Sequence, residues 1–152
     1  MRRFLIFCSL LACYLCCTDD YYNPVPPRHV YLEIDLTYRD KELRSMASCK
    51  IFTPKSNIIL GKEYTGFAGV LVTHTNLDGY KAFDLACPHE VRADAIIEID
   101  SENNAVCKVC GSKYEVINFY GSGGCISGPS KYPLRHYFIT PSSGDRLIVR
   151  SK

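Results

Sequence analysis

The chain has 152 residues, enough for one domain with a real core and too few for two comfortable ones. Its 18 basic and 16 acidic residues give a formal charge of +2, and loss of Arg2 and Arg3 with a cleaved leader would bring the mature protein to neutrality. That balance, without any Lys/Arg cluster, argues against nucleic acid or an anionic surface as the main partner.

The N-terminus carries the marks of export. Met1-Arg2-Arg3 is a positive start, and Phe4 to Leu15 is an apolar run too short to span a membrane, which takes about 20 residues. The segment resembles bacterial lipoprotein signals, in which a cysteine behind the apolar run becomes the lipidated N-terminus. Leu10-Leu11-Ala12-Cys13 fits that pattern, with Cys17 as the alternative because Thr18-Asp19-Asp20 follows it. Residues 1–17 are therefore expected to be a signal peptide, and the protein to be lipid-anchored in a bacterial cell envelope, on the periplasmic or outer-membrane face. An ordinary signal peptide with incidental cysteines is the alternative. Residues 18–29 contain Asn23-Pro24-Val25-Pro26-Pro27 and read as a stiff tether, since proline fixes φ and removes a donor.

The body, residues 30–152, reads as short strands. Val30, Leu32, Ile34 and Leu36 alternate with Tyr31, Glu33, Asp35 and Thr37, the period of a half-buried strand. Arg39 to Lys50 could hold a short helix at most. Gly69 to Thr75 and Tyr80 to Leu85 flank the turn Asn76-Leu77-Asp78-Gly79 and predict a hairpin. Ala95 to Asp100 and Ala105 to Cys107 predict a second hairpin around 101–104. Leu134 to Thr140 and Arg146 to Arg150 predict a third around 141–145. No sustained helical period follows the leader, so the expected class is all-β.

Of nine cysteines, Cys8, Cys13, Cys16 and Cys17 lie in the leader. The body keeps five, Cys49, Cys87, Cys107, Cys110 and Cys125, and an odd number does not read as a plain disulfide framework. Ala86-Cys87-Pro88-His89-Glu90 (86–90) follows a strand, and Cys107-Lys108-Val109-Cys110-Gly111-Ser112 (107–112) follows a hairpin. Each loop offers two donors one or two residues apart, which a tight turn can aim at one point. Cys87, His89, Cys107 and Cys110 would make a metal site for tetrahedral zinc or for an iron–sulfur cluster. Buried unreactive thiols, or a Cys107–Cys110 disulfide, are the competing readings. Cys125 reads as a packing residue, and His29, His74 and His136 as surface or strand residues.

These motifs resemble the Rieske family, in which a C-x-H loop and a C-x₂-H loop hold a [2Fe–2S] cluster. Here 17 residues separate the loops (Glu90 to Val106). Gly111-Ser112-Lys113-Tyr114-Glu115 is similar to the family's segment after the second loop. Gly121 to Leu134, with Gly128-Pro129-Ser130 and Pro133-Leu134, is similar to its covering loop (121–134). The likeness runs from about Val70 to Arg150. It implies an antiparallel β-sandwich or barrel with a small cluster-binding subdomain. It also implies Cys87 and Cys107 on one iron, with His89 and Cys110 on the other.

Cys110 stands where the family has its second histidine, so three thiolates and one imidazole replace the usual pairs. That change should lower the potential and also suits zinc. The positions that carry a bridging cysteine pair in high-potential members are Arg92 and Val109, which points toward the ferredoxin-like branch. No catalytic constellation is present. The resemblance therefore implies an electron carrier to a partner redox protein. The alternative is a non-redox structural or interaction lipoprotein stabilised by zinc or a disulfide.

Overall fold

The computed structural model describes residues 22–54 and 64–151, so the leader and both candidate lipid acceptors, Cys13 and Cys17, lie outside the described residues. The protein is all-β, as its alternation predicts. Seven strands, β1 (Val30–Asp35), β2 (Ser48–Phe52), β3 (Tyr64–Thr65), β4 (Val70–His74), β5 (Tyr80–Asp84), β10 (His136–Ser142) and β11 (Arg146–Arg150), form one antiparallel sheet. Their order, β2-β4-β5-β10-β11-β1-β3, makes a nearly closed barrel. Four shorter strands, β6 (Ile97–Ile99), β7 (Asn104–Cys107), β8 (Lys113–Glu115) and β9 (Cys125–Ser127), form a second sheet in chain order. This small sheet is inserted between β5 and β10 and carries both cysteine loops.

Period-two patterning explains the barrel. In β1, Val30, Leu32 and Ile34 are buried, and their register on β11 sets Leu32 opposite Val149 and Ile34 opposite Leu147. The β4–β5 hairpin closes with His74 opposite Tyr80, and β6–β7 with Ile99 opposite Ala105.

Several segments depart from expectation: β3, β8 and β9 are strands that the sequence does not predict, and β9 lies within the 121–134 stretch expected as a loop. The third hairpin is longer than predicted, because β10 runs through Pro141 and Ser142 to Arg146 on β11. Pro141 is tolerated there because β10 pairs with β5 only at His136 and Tyr137, leaving that end without a second neighbour to receive an N–H. The 39–50 region holds only a 3₁₀ turn, Lys41–Arg44, and its end becomes β2. Lys50 lies in that strand because its ammonium reaches the buried Asp40 (3.0 Å) and Glu42 (2.5 Å).

There are two apolar cores. One fills the barrel around Val30, Leu32, Ile34, Phe52, Val70, Val72 and Val149. The other joins Leu71, Phe83 and Leu85 of the barrel to Ile97, Ala105, Tyr114, Val116 and Ile117 of the insert, and it includes Cys87 and Cys107. Barrel and insert are stitched by Ile97 N to Leu85 O (2.9 Å) and Cys87 N to Ala95 O (3.0 Å). Within the Pro-rich stretch, Val25 is buried, and the Arg135 guanidinium donates to Val25 O (2.7 Å) and Asn23 O (3.2 Å). Asn23 in turn donates to Pro133 O (2.9 Å), so this stretch lies against the end of the 121–134 loop.

Candidate metal centre

The first loop leaves the barrel over a fixed carboxylate. Asp84 is fully buried, and its oxygens accept from Phe67 N (2.9 Å), Ala68 N (3.3 Å), Ala86 N (2.8 Å) and the Tyr137 hydroxyl (2.5 Å). Four donors on one buried carboxylate satisfy it and pin the backbone just before Cys87.

Both cysteine loops then make the same turn. Val91 N donates to Cys87 O (2.9 Å), and Gly111 N donates to Cys107 O (2.8 Å). Each closing residue has left-handed φ, +54° at Val91 and +74° at Gly111. Glycine adopts that conformation freely, whereas a β-branched valine is strained in it, by of order 1–3 kcal/mol. The strain sits two residues beyond His89 and is held by the turn hydrogen bond.

The two turns converge. The Sγ atoms of Cys87, Cys107 and Cys110 all lie within 4.8 Å of one another, and these three cysteines could hold a metal ion. Cys87 and Cys110 approach to 3.6 Å, and all three are free thiols. Cys87 and Cys107 are fully buried, while Cys110 is half-buried. Three soft donors of this kind suit zinc, cuprous copper or iron–sulfur units.

Hydroxyl groups surround the sulfurs. The Tyr114 hydroxyl lies 3.3 Å from Cys87 Sγ, and Ser112 Oγ lies 3.2 Å from Cys110 Sγ. Either hydroxyl donates to its sulfur once that sulfur is a thiolate. Burial pushes Cys107 up to about 11, against hydrogen bonds from the Cys110 and Val109 backbone. Burial also works against the Cys110 thiolate. There, hydrogen bonds from the Ser112 side chain and backbone, then from Cys87 and Cys107, outweigh it and hold Cys110 below the ordinary thiol value. Cys110 therefore gives up its proton more readily than Cys107. Burial, and then the bond to Cys87, raise the Tyr114 phenol, so it remains a donor at any working pH.

The 121–134 loop closes over the second turn. Ser130 N donates to Ser112 Oγ (3.1 Å), tying the loop to the residue that serves Cys110. Gly128 has φ +97°, and a Cβ there would stand 2.5 Å from Ser112 Cα, so only glycine permits this approach. Upstream, the Glu115 carboxylate accepts from Gly121 N (3.0 Å), Ser122 N (2.7 Å) and Ser122 Oγ (2.7 Å), holding the start of the loop to β8.

Of the four candidate ligands, the structure brings together Cys87, Cys107 and Cys110. His89 is exposed and does not join them. Cys125 packs half-buried against the same core, with its thiol toward Ser127 O (3.2 Å), and Cys49 packs there from β2. His74 is satisfied in its strand, Nδ1 lying 2.9 Å from Leu43 O and the ring stacking on Tyr80. Sequence reasoning named Ser112, Tyr114 and Ser130 only as parts of motifs, without individual roles. Asp84 went unnoticed, because a single aspartate at a strand end carries no distinguishing pattern. No protein-family model matches the chain, and no curated protein matches it.

Proposed function

We propose that the protein is a Rieske-like iron–sulfur electron carrier of the bacterial cell envelope. In this reading it is lipid-anchored through Cys13 or Cys17 and passes electrons to a partner redox protein. The observation that carries the proposal is the convergence of Cys87, Cys107 and Cys110 from two like turns, with a hydroxyl in hydrogen-bond contact with two of the sulfurs. A [2Fe–2S] cluster held there would take up and release one electron. The chain's own residues supply three thiolates and a further ligand from the 88–90 turn. Tyr114 and Ser112 donate to sulfur and stabilise the extra negative charge of the reduced state. The second core and the 121–134 loop exclude water from the inner side, which keeps the two oxidation states structurally alike.

A second reading has its own support. The 3.6 Å between Cys87 and Cys110 sulfurs is close to the edge of a tetrahedron of thiolates around zinc, about 3.8 Å for Zn–S bonds of about 2.3 Å. One zinc would then staple the insert in a structural envelope module. The two readings part on a visible absorption spectrum of the anaerobically purified protein, with iron and zinc analysis in parallel. Charge-transfer bands with about two irons per chain support the electron carrier. A colourless protein with one zinc, or with no metal, overturns it.

A further inference from the structure

Resting on the reading of the three cysteines as a metal centre, we infer that its fourth ligand is the carboxylate of Glu90, because the turns of Cys87 and Cys107 are equivalent and Glu90 holds in one the place that Cys110 holds in the other. The two turns match at the opening, third, fourth and closing positions and differ at the second, where Pro88 is buried and Lys108 exposed. Cys87 and Cys107 open the turns and are both fully buried. Val91 and Gly111 close them four residues on, with matching hydrogen bonds and matching left-handed φ. Two residues after the opening cysteine come His89 and Val109, both exposed, the latter 57%. Three residues after it come Glu90 and Cys110, both half-buried. In the second turn the first and fourth residues, Cys107 and Cys110, join the thiol group, while the third, Val109, is exposed. By the same geometry the first turn offers Cys87 and Glu90, and turns His89 outward.

The state of Glu90 agrees. The residue is half-buried, and its side chain makes no hydrogen bond among the described residues. The cation nearest in charge terms is Arg92, whose Nε and Nη2 are both given to Asp94 (3.0 and 2.7 Å). The Glu90 carboxylate is therefore not committed to any hydrogen bond that ligation would have to break. Glu90 stands outside the thiol group as the side chains now lie, so ligation takes a rotation of its own side chain. The resulting donor set is three thiolates and one carboxylate, which zinc and cobalt(II) both accept in tetrahedral geometry.

The test uses the reduced full-length chain, stripped of metal without oxygen and titrated with Co²⁺ and then Zn²⁺ against a chelating dye. Glu90→Gln should weaken Zn²⁺ binding by about tenfold or more, while His89→Gln should leave it within about twofold of the parent. Glu90→Cys should raise the thiolate-to-cobalt charge-transfer intensity from that of three sulfurs to that of four, and His89→Cys should not. Loss of affinity in His89→Gln with Glu90→Gln unaffected overturns the assignment and leaves the metal centre standing. No change in either variant also overturns it. A parent chain that takes up neither metal overturns the centre itself, and the assignment with it.

Discussion

At the scale of single residues, the centre depends on polar atoms that touch sulfur as much as on the cysteines. Tyr114 is fully buried, and its hydroxyl faces Cys87 Sγ at 3.3 Å. In Tyr114→Phe the ring still fills the second core, so the change isolates the hydroxyl. The expected loss is about 1 kcal/mol of unfolding free energy in the metal-free chain, the worth of one buried hydrogen bond. With the proposed iron–sulfur cluster in place, its reduction potential should also fall, because the thiolate loses a donor that stabilises added charge. Denaturant unfolding and potentiometry check the two parts, and an unchanged potential would remove Tyr114 from any role in tuning.

The same scale shows what the sequence could not reveal. The candidate thiols were legible, since C-x₂-C and C-x-H spacings after strands are strong local signals. The outward position of His89 was not, because spacing in a sequence does not say on which side of a turn a residue stands. Nor does any propensity suggest that Val91, two residues on, takes φ +54°, which a β-branched residue rarely does. The buried anchor Asp84 was equally hidden, since its donors come from residues 67, 68, 86 and 137 and only the fold assembles them.

At the scale of elements, the 121–134 loop is the part that keeps the second turn in place. Gly128→Ala would set a methyl group 2.5 Å from Ser112 Cα, a backbone atom that cannot step aside without moving Cys110's neighbour. Gly144 is the control, with φ +62° and nothing within 4 Å of an added Cβ. Gly144→Ala should cost only the left-handed backbone preference, about 1 kcal/mol. Gly128→Ala should cost about 1–3 kcal/mol beyond that and weaken metal binding as well. Thermal unfolding with and without metal measures both, and equal losses in the two variants would show that the contact with Ser112 is unimportant.

Strand legibility follows the same physical line. β1 and the three hairpins announce themselves because one face of each is apolar and their turns are rich in Asn, Asp, Gly and Ser. β2 does not, because Ser48 and Lys50 break its pattern and Lys50 is there to neutralise Asp40 and Glu42. β8 and β9 have three residues each, too few for a period to show, and they exist because β7 offers an edge to pair on.

At the scale of the molecule, a nearly closed barrel supports a small sheet, and the sheet and barrel share the core that contains two of the thiols. Closure of the barrel removes most free edges and makes a stiff base, while the cysteine turns project from the join between the layers. This division places the reactive groups on short loops braced from both sides, by Asp84 below and by Ser130 above. Such bracing holds the three thiols together where a metal ion could meet them.

Cys87, Cys107 and Cys110 form the group that could hold a metal ion, and Cys49 and Cys125 stand outside it. The direct measurement is the metal-to-protein ratio of the anaerobically purified chain and of its five Cys→Ser variants. Cys87→Ser, Cys107→Ser and Cys110→Ser should each lose the metal carried by the parent, and Cys49→Ser and Cys125→Ser should retain it. Retention of metal in the first three, or a loss in Cys49→Ser or Cys125→Ser as large as theirs, would contradict that grouping.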